Sequence, residues 1–178
     1  LPAFEFTPAH IEVYLKQLQQ LKPKMLFGYP SVIHQLALAA EARQLDLSQL
    51  GIKVVFVTSE MLFEHQRTVI ERVFNCPVAN GYGARDAGFI AHQCPAGSLH
   101  ISAEDIIVEI IDDNGQVLPP GQSGEIVITH LQTQAFPFVR YRTGDIGQLS
   151  NTPCCCGRGL PVLAHVSGRT TDFMLTTA

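Results

Sequence analysis

Apolar residues recur at helical spacing in three segments of the first half of the chain. The first segment follows Thr7-Pro8, a capping residue and a proline suited to the first helical position, and Pro23 ends it. The second begins at Ser31, which we expect to cap it, and the third covers residues 63–74. The pattern therefore predicts three amphipathic helices.

Short apolar runs separate these helices. Residues 25–27 and 52–57 read as buried strands, and a further run at 78–79 leads into a glycine-rich segment. Strands that alternate with helices are typical of a parallel sheet. The sequence predicts an α/β fold with a layered α-β-α arrangement up to residue 95.

The pattern changes near residues 93–98. Three apolar runs at 99–101, 106–111 and 124–129 lie between glycine- and proline-rich turns, and Asp113-Asn114-Gly115 is a strong hairpin signal. Helical periodicity is absent from this part of the sequence. We expect residues 96–178 to form a small antiparallel β subdomain, a distorted barrel being one form of it.

Candidate ligand-binding residues follow two of the predicted parallel strands. Ser59-Glu60 come after residues 52–57, and the loop 80–88 (Asn80, Gly81, Tyr82, Gly83, Ala84, Arg85, Asp86, Ala87, Gly88) comes after residues 78–79. Because ligands bind where parallel strands end, we expect both segments to line one crevice. The glycines of the loop 80–88 allow its backbone to approach a ligand, and the ring of Tyr82 can stack on a base. Taken alone, this segment is equally typical of an ordinary turn.

Composition narrows the class of protein. The 178 residues include 12 basic and 16 acidic side chains, and a net charge of −4 argues against a nucleic-acid polymer as partner. No apolar stretch approaches the ~20 residues that span a membrane, and the N-terminus lacks a signal-peptide pattern. An odd number of cysteines, five, favours a cytoplasmic protein with a metal site or free thiols.

Four of the cysteines and one histidine carry a possible metal site. Cys94 precedes His100 in a turn that enters a predicted strand, and Cys154, Cys155 and Cys156 are consecutive, with Cys154 and Cys156 forming a Cys-x-Cys pair. Cys94, His100 and two of the three late cysteines would make a closed Cys₃His set, which suits structural zinc. The alternative is a group of buried thiols beside a core histidine. Such a closed shell argues against a zinc hydrolase, which needs an open metal position.

Three spaced motifs are more specific together than any one alone. They are Tyr82-Gly83 with Asp86, the segment Arg140-Tyr141-Arg142-Thr143-Gly144-Asp145, and Gly168-Arg169 with Asp172. In this order they resemble the adenylate-forming superfamily of acyl-CoA synthetases, adenylation domains and luciferases. Residues 28–31, 124–129 and the Cys-x-Cys-Gly-Arg run ending at Arg158 are most similar to its phenylacetate–CoA ligase branch, which includes CapK-like proteins.

The resemblance implies an activity and a role for each motif. The family joins a carboxylic acid to ATP with Mg²⁺, releases pyrophosphate, and passes the acyl group to a thiol, usually that of CoA. Aryl acids are usual in this branch. The resemblance implies that the loop 80–88 binds AMP, with Tyr82 stacking on adenine, and that Ser59 and Glu60 form a wall of the adenine pocket. It implies that Asp145 binds the ribose and that Arg169 contacts ribose or phosphate. Asp172 would be a hinge.

This sequence departs from the family pattern at the two positions expected to act at the phosphates. Arg85 stands where the family has a small hydroxyl residue, and Asp86 stands where it has a glutamate that helps hold Mg²⁺. An arginine can also contact the α-phosphate, whereas aspartate reaches one methylene less far than glutamate. The site is therefore either retuned or impaired.

Two parts of the family pattern have no counterpart among these residues: the glycine-, serine- and threonine-rich phosphate loop, and the C-terminal domain with its adenylation lysine. With the missing initiator Met, this implies an internal fragment cut at its hinge, which alone is not expected to be active. The alternative is a non-catalytic nucleotide- or zinc-binding scaffold derived from the family. Exposed sheet edges, where the missing half belongs, can pair between copies, so the oligomeric state is open.

Overall fold

The chain divides into two compact units, Leu1–Gly81 and Tyr82–Ala178. The structure is a computed structural model that describes residues 7–133, 135 and 137–169. Within those residues, no helix combines the length and apolar character that crossing a membrane requires.

The first unit alternates helices with parallel strands. Its elements are α1 (Pro8–Leu21), β1 (Met25–Gly28), α2 (Pro30–Ala42), a 3₁₀ turn (Ser48–Leu50), β2 (Val54–Thr58), α3 (Glu64–Phe74) and the start of β3 (Val78–Ala84). β1 pairs with β2 and β2 pairs with β3, both in parallel. The predicted α/β class is confirmed.

Local sequence explains where the first two helices begin. Thr7 caps α1 as predicted, because its hydroxyl accepts a hydrogen bond from the backbone N–H of His10. The prediction that Ser31 caps α2 is wrong: Tyr29 is the capping position, and Ser31 lies within the first turn. The fixed φ of Pro30 suits the first helical position, and the helix starts two residues earlier than predicted.

The core of the first unit lies between the helices and one face of this sheet. Val55 and Val57 of β2 are completely buried there and share one apolar cluster with Leu15 of α1 and Phe74 of α3. Side chains alternate between the two faces of a strand. On the other face, Phe27 of β1 stacks on Phe56 but remains 58% exposed.

The second unit is an antiparallel sheet. Its strands are β4 (Gly88–Gln93), β5 (Leu99–Ile101), β6 (Ile106–Ile111), β7 (Ser123–His130), β8 (Tyr141–Leu149) and β9 (Val162–Arg169). They are ordered β4-β5-β9-β8-β7-β6, an open series among the described residues rather than a closed barrel. The predicted antiparallel subdomain and the turn at 113–115 are confirmed, since Ile111 and Val117 bridge across that turn.

The division between the units falls at Gly81, earlier than the expected change near residue 95. The reason lies in the segment 80–88, most of which is strand rather than loop. β3 continues to Ala84, a turn at residues 85–87 reverses the chain, and β4 pairs with β5 of the second unit. Alternation is weak in a run of glycines, so the sequence pattern hides this strand.

Candidate functional site

A buried carboxylate lies at the centre of the polar groups in the second unit. Asp145 of β8 is only 7% exposed, and its Oδ2 accepts a hydrogen bond of 2.7 Å from the hydroxyl of Tyr82 on β3. Arg169 of β9 is its cross-strand partner, with Nε 3.5 Å from Oδ1. Burial raises the pKa of the Tyr82 hydroxyl, and the hydrogen bond to Asp145 raises it further. Tyr82 is therefore the donor at neutral pH.

The backbone of β8 just before Asp145, where the pairing with β7 is irregular, is fixed by side chains. Gly144 has a φ of +77°, a left-handed conformation that favours glycine. The backbone N–H of Asp145 donates to the Thr143 hydroxyl at 3.1 Å, and that hydroxyl donates to the carbonyl of Ile126 at 2.9 Å. Glu125 of β7 accepts from the N–H of Gly144 and forms an ion pair with Arg142. These contacts hold the carboxylate of Asp145 in one place.

Arg85 and Asp86 lie together in the turn between β3 and β4, and both are exposed. Oδ2 of Asp86 accepts a hydrogen bond of 3.1 Å from the hydroxyl of Tyr141. That bond raises the pKa of Tyr141 and leaves Oδ1 of Asp86 for a ligand. Arg85 forms no hydrogen bond or ion pair with other described residues, so its guanidinium is available to an anion.

Gly83 permits this turn because no other residue fits there. A Cβ on Gly83 would collide with the carbonyl oxygen of Gly88 and lie 3.3 Å from its carbonyl carbon. We expect Gly83→Ala to lower the free energy of unfolding by about 3 kcal/mol, since overpacking against backbone is poorly relieved. Gly159→Ala is the matched control, because a Cβ there meets nothing within 4 Å. Urea denaturation measures both; equal midpoints would contradict the prediction.

The first unit contains the remaining predicted nucleotide-binding residues. Thr58 pairs with Gly81, so Ser59-Glu60 and Asn80-Gly81 lie at the same end of neighbouring parallel strands. Oε2 of Glu60 accepts a hydrogen bond of 3.2 Å from the N–H of Ser31 in the first turn of α2. The adenine-wall role of Ser59 and Glu60 stays a prediction.

Four predicted metal ligands come together in the second unit. The ligand atoms of Cys94, His100, Cys154 and Cys156 all lie within 4.8 Å of one another. The sulfurs of Cys94 and Cys154 are 3.8 Å apart, and Nε2 of His100 is 3.3 Å from the sulfur of Cys156. A tetrahedral zinc with bonds of about 2.3 Å would separate two sulfurs by about 3.8 Å. The donor set and its spacing therefore fit zinc.

The surroundings of this cluster favour the forms of its side chains that bind metal, namely thiolate and an imidazole with a free Nε2 lone pair. Nδ1 of the buried His100 lies 3.3 Å from the carbonyl of Leu160, which directs Nε2 with its lone pair toward Cys156. The Ser98 hydroxyl and, second, the N–H of Cys156 lower the pKa of the Cys154 thiol to about 6. The backbone N–H of Arg158 lowers the pKa of Cys156. Thiolate is the form that coordinates zinc. Cys155 is exposed and outside the cluster.

Sequence reasoning missed three supporting residues: Glu125, His130 and Thr133. Glu125 holds the β8 backbone just before Asp145, and His130 contacts the turn 85–87 through the carbonyl of Ala87. The partners of Glu125 and His130 lie on distant segments, so no local spacing identifies these two, and Thr133 contacts His130, three residues before it in the chain. Asp172, the predicted hinge, lies outside the described residues.

Comparison with known proteins agrees with these features. The model of the family described as AMP-binding enzyme matches residues 2–133. CapK of Staphylococcus aureus is 28% identical over 98% of this chain and 37% of its own length. The phenylacetate-coenzyme A ligase of Thermus thermophilus is 28% identical over 89% of this chain and 37% of its own length. The chain thus spans little more than a third of these relatives.

A solved structure of 2-hydroxyisobutyryl-CoA ligase, in an open conformation with 2-HIB-AMP and CoA, has the same fold. The two superpose with a TM-score of 0.85 and 24% sequence identity, over 98% of this chain and 43% of that chain. The fold described above is therefore one that solved CoA ligases share.

Proposed function

The chain belongs to the AMP-binding enzyme family, and on that premise we propose that its protein is an AMP-forming acid–CoA ligase. Such a protein activates a carboxylic acid with ATP to an acyl-AMP and passes the acyl group to CoA. The observation that carries the proposal is the buried carboxylate of Asp145 between Tyr82 and Arg169. An aryl acid is the proposed substrate class, in keeping with relatives named phenylacetate-coenzyme A ligase.

The nucleotide would be held by these groups in distinct ways. Asp145 can accept hydrogen bonds from both ribose hydroxyls, because each carboxylate oxygen has two lone pairs. The ring of Tyr82 offers adenine a stacking surface, and Arg169 offers forked donors to ribose or phosphate oxygens. Proposed contacts of Ser59, Glu60, Asn80, Gly81 and Gly83 with the nucleotide rest on the family resemblance.

Arg85 and Asp86 are the proposed catalytic residues. An oxygen of the substrate carboxylate attacks the α-phosphorus of ATP, and the bond to the bridging oxygen breaks as pyrophosphate leaves with the electron pair. The thiolate of CoA, formed when the thiol loses its proton, then attacks the acyl carbon, and AMP leaves with the electron pair of the carbon–oxygen bond. Arg85 would stabilise charge on the phosphate oxygens. Asp86, with one oxygen still open, fits a ligand of Mg²⁺, which would neutralise phosphate charge when bound.

We further propose that Cys94, His100, Cys154 and Cys156 bind one zinc ion with a structural role. Four protein ligands fill a tetrahedral shell and leave no position for substrate. The ion would join β5 and the turn before it to the connection between β8 and β9, since these segments supply the ligands.

Titration calorimetry with AMP tests the ligase proposal. We expect the unmodified protein to bind AMP and Tyr82→Ala to bind it at least about fivefold more weakly, because stacking on a base contributes about 1–3 kcal/mol. Phe89→Ala is the control, since Phe89 is an exposed aromatic residue of the same unit. Equal affinities for all three proteins would contradict the assigned role of Tyr82.

Pyrophosphate release with a panel of aryl and aliphatic acids tests the activity of the whole protein. We expect turnover with an aryl acid and dependence on CoA for release of AMP. If the protein binds zinc but no nucleotide, the ligase proposal is wrong, and a non-catalytic scaffold derived from the family is the better interpretation.

A further inference from the structure

The turn that carries Arg85 and Asp86 is held by two neighbouring strands of the second unit. From β8, the hydroxyl of Tyr141 donates to Asp86 at 3.1 Å. From the end of β7, Nε2 of His130 lies 2.8 Å from the carbonyl oxygen of Ala87. Ala87 itself is completely buried in the apolar cluster of this unit. The turn is thus held at Asp86 itself and at Ala87, the residue that follows the exposed charged pair.

The hydrogen bonds of His130 define its role. A carbonyl oxygen only accepts, so Nε2 of His130 is the donor to Ala87. On the other side of the ring, Nδ1 lies 2.8 Å from the Thr133 hydroxyl, which donates to the neutral imidazole. The ring of Phe138 lies beside both His130 and Tyr141, with ring centroids 6.1 and 5.0 Å away. Both ring nitrogens are therefore engaged, which leaves His130 no free lone pair to act as a general base.

We propose that His130 is a positioning residue that holds the turn 85–87 so that Arg85 and Asp86 meet the phosphates of the bound nucleotide. The inference rests on the proposed function. In it, His130 affects Arg85 and Asp86 indirectly, by holding the backbone carbonyl of Ala87. Arg85 has no described partner to hold its side chain, and Asp86 has only the Tyr141 hydroxyl. The direction in which both side chains point therefore depends on the backbone between β3 and β4.

If His130 has this positioning role, its removal should weaken binding of the phosphates and leave binding of the nucleoside unchanged. Adenosine would contact Tyr82, Asp145 and the other proposed adenine- and ribose-binding residues but not the turn 85–87, whereas ATP with Mg²⁺ would also contact the turn. We expect His130→Ala to weaken ATP binding about tenfold, the effect of losing one well-made hydrogen bond. Adenosine affinity, measured by competition against AMP, should change less than about twofold. His130→Gln should restore ATP binding, because its amide N–H can donate to Ala87.

Two comparisons separate positioning from a general loss of structure. His165→Ala removes an exposed histidine of β9 and should leave the affinity for both ligands unchanged. In an Asp86→Ala background, His130→Ala should weaken ATP binding by clearly less than tenfold, since the effects of substitutions at coupled residues do not add.

Each outcome decides the proposal. Equal weakening of ATP and adenosine binding, or no rescue by His130→Gln, would show that His130 only stabilises the fold and would overturn the inference. Unchanged ATP binding in His130→Ala would overturn it while leaving the ligase proposal intact. If the unmodified protein binds neither ATP nor adenosine, the proposed function fails and the inference fails with it.

Discussion

Cys156→Ala is expected to weaken zinc binding at least ~100-fold and to lower the melting temperature by about 10 °C. A closed zinc site contributes about 10–16 kcal/mol in small domains, and one ligand of four carries on the order of a quarter of that. A loss of about 3–4 kcal/mol corresponds to at least ~100-fold weaker zinc binding. For a chain of this size each kcal/mol shifts the melting temperature by about 2–4 °C.

The neighbouring Cys155 provides a matched control. It has the same chemistry one residue away, but it is exposed and lies outside the cluster. Elemental analysis should find about one zinc per chain in the unmodified protein and in Cys155→Ala, the stoichiometry of one closed site. A metal-free protein that melts like the zinc-bound one, or that takes up no zinc on titration, would contradict the structural role.

Asp145→Asn is expected to weaken AMP binding about 100-fold. Hydrogen bonds to a charged group contribute about 1.5–3 kcal/mol each, and the ribose offers two. The substitution keeps the size of the side chain, so Tyr82 retains an oxygen to which its hydroxyl can donate. Asp113→Asn, which neutralises an exposed carboxylate in the hairpin turn of the same unit, is the control.

A modified ligand identifies the bond that is lost. The unmodified protein should bind AMP about 100-fold more tightly than 2′,3′-dideoxy-AMP, which lacks both hydroxyls. In Asp145→Asn this preference should fall to a few fold. If the preference is unchanged in the variant, Asp145 does not bind the ribose, even where AMP affinity has dropped.

The sequence predicted those parts of the protein in which local pattern and tertiary packing agree. Helical periodicity located α1 and α3 because their apolar residues face one core, and the hairpin turn at 113–115 follows from its Asp-Asn-Gly composition. The cluster of Cys94, His100, Cys154 and Cys156 was also predicted, since thiols and imidazole are unusual enough to be informative at any spacing.

The features that the sequence did not predict depend on contacts between distant segments. The strand through Gly81 and Gly83 has no alternation to indicate its two faces, so it was interpreted as loop. The bonds from His130 to Ala87 and from Tyr141 to Asp86 join residues on different strands. Strand order decides such contacts, and local spacing carries no information on strand order.

The cluster of Cys94, His100, Cys154 and Cys156 also has a consequence for folding kinetics. Cys94 and Cys154 are 60 positions apart in the chain, so their sulfurs meet only after a long loop has closed. β6, β7 and β8 are consecutive strands that pair with their sequence neighbours, whereas β5 pairs with the distant β9. Contacts between sequence neighbours form faster. Binding of the proposed zinc would therefore occur only once β5 has paired with β9, and its rate should follow that pairing rather than formation of the hairpins between β6, β7 and β8.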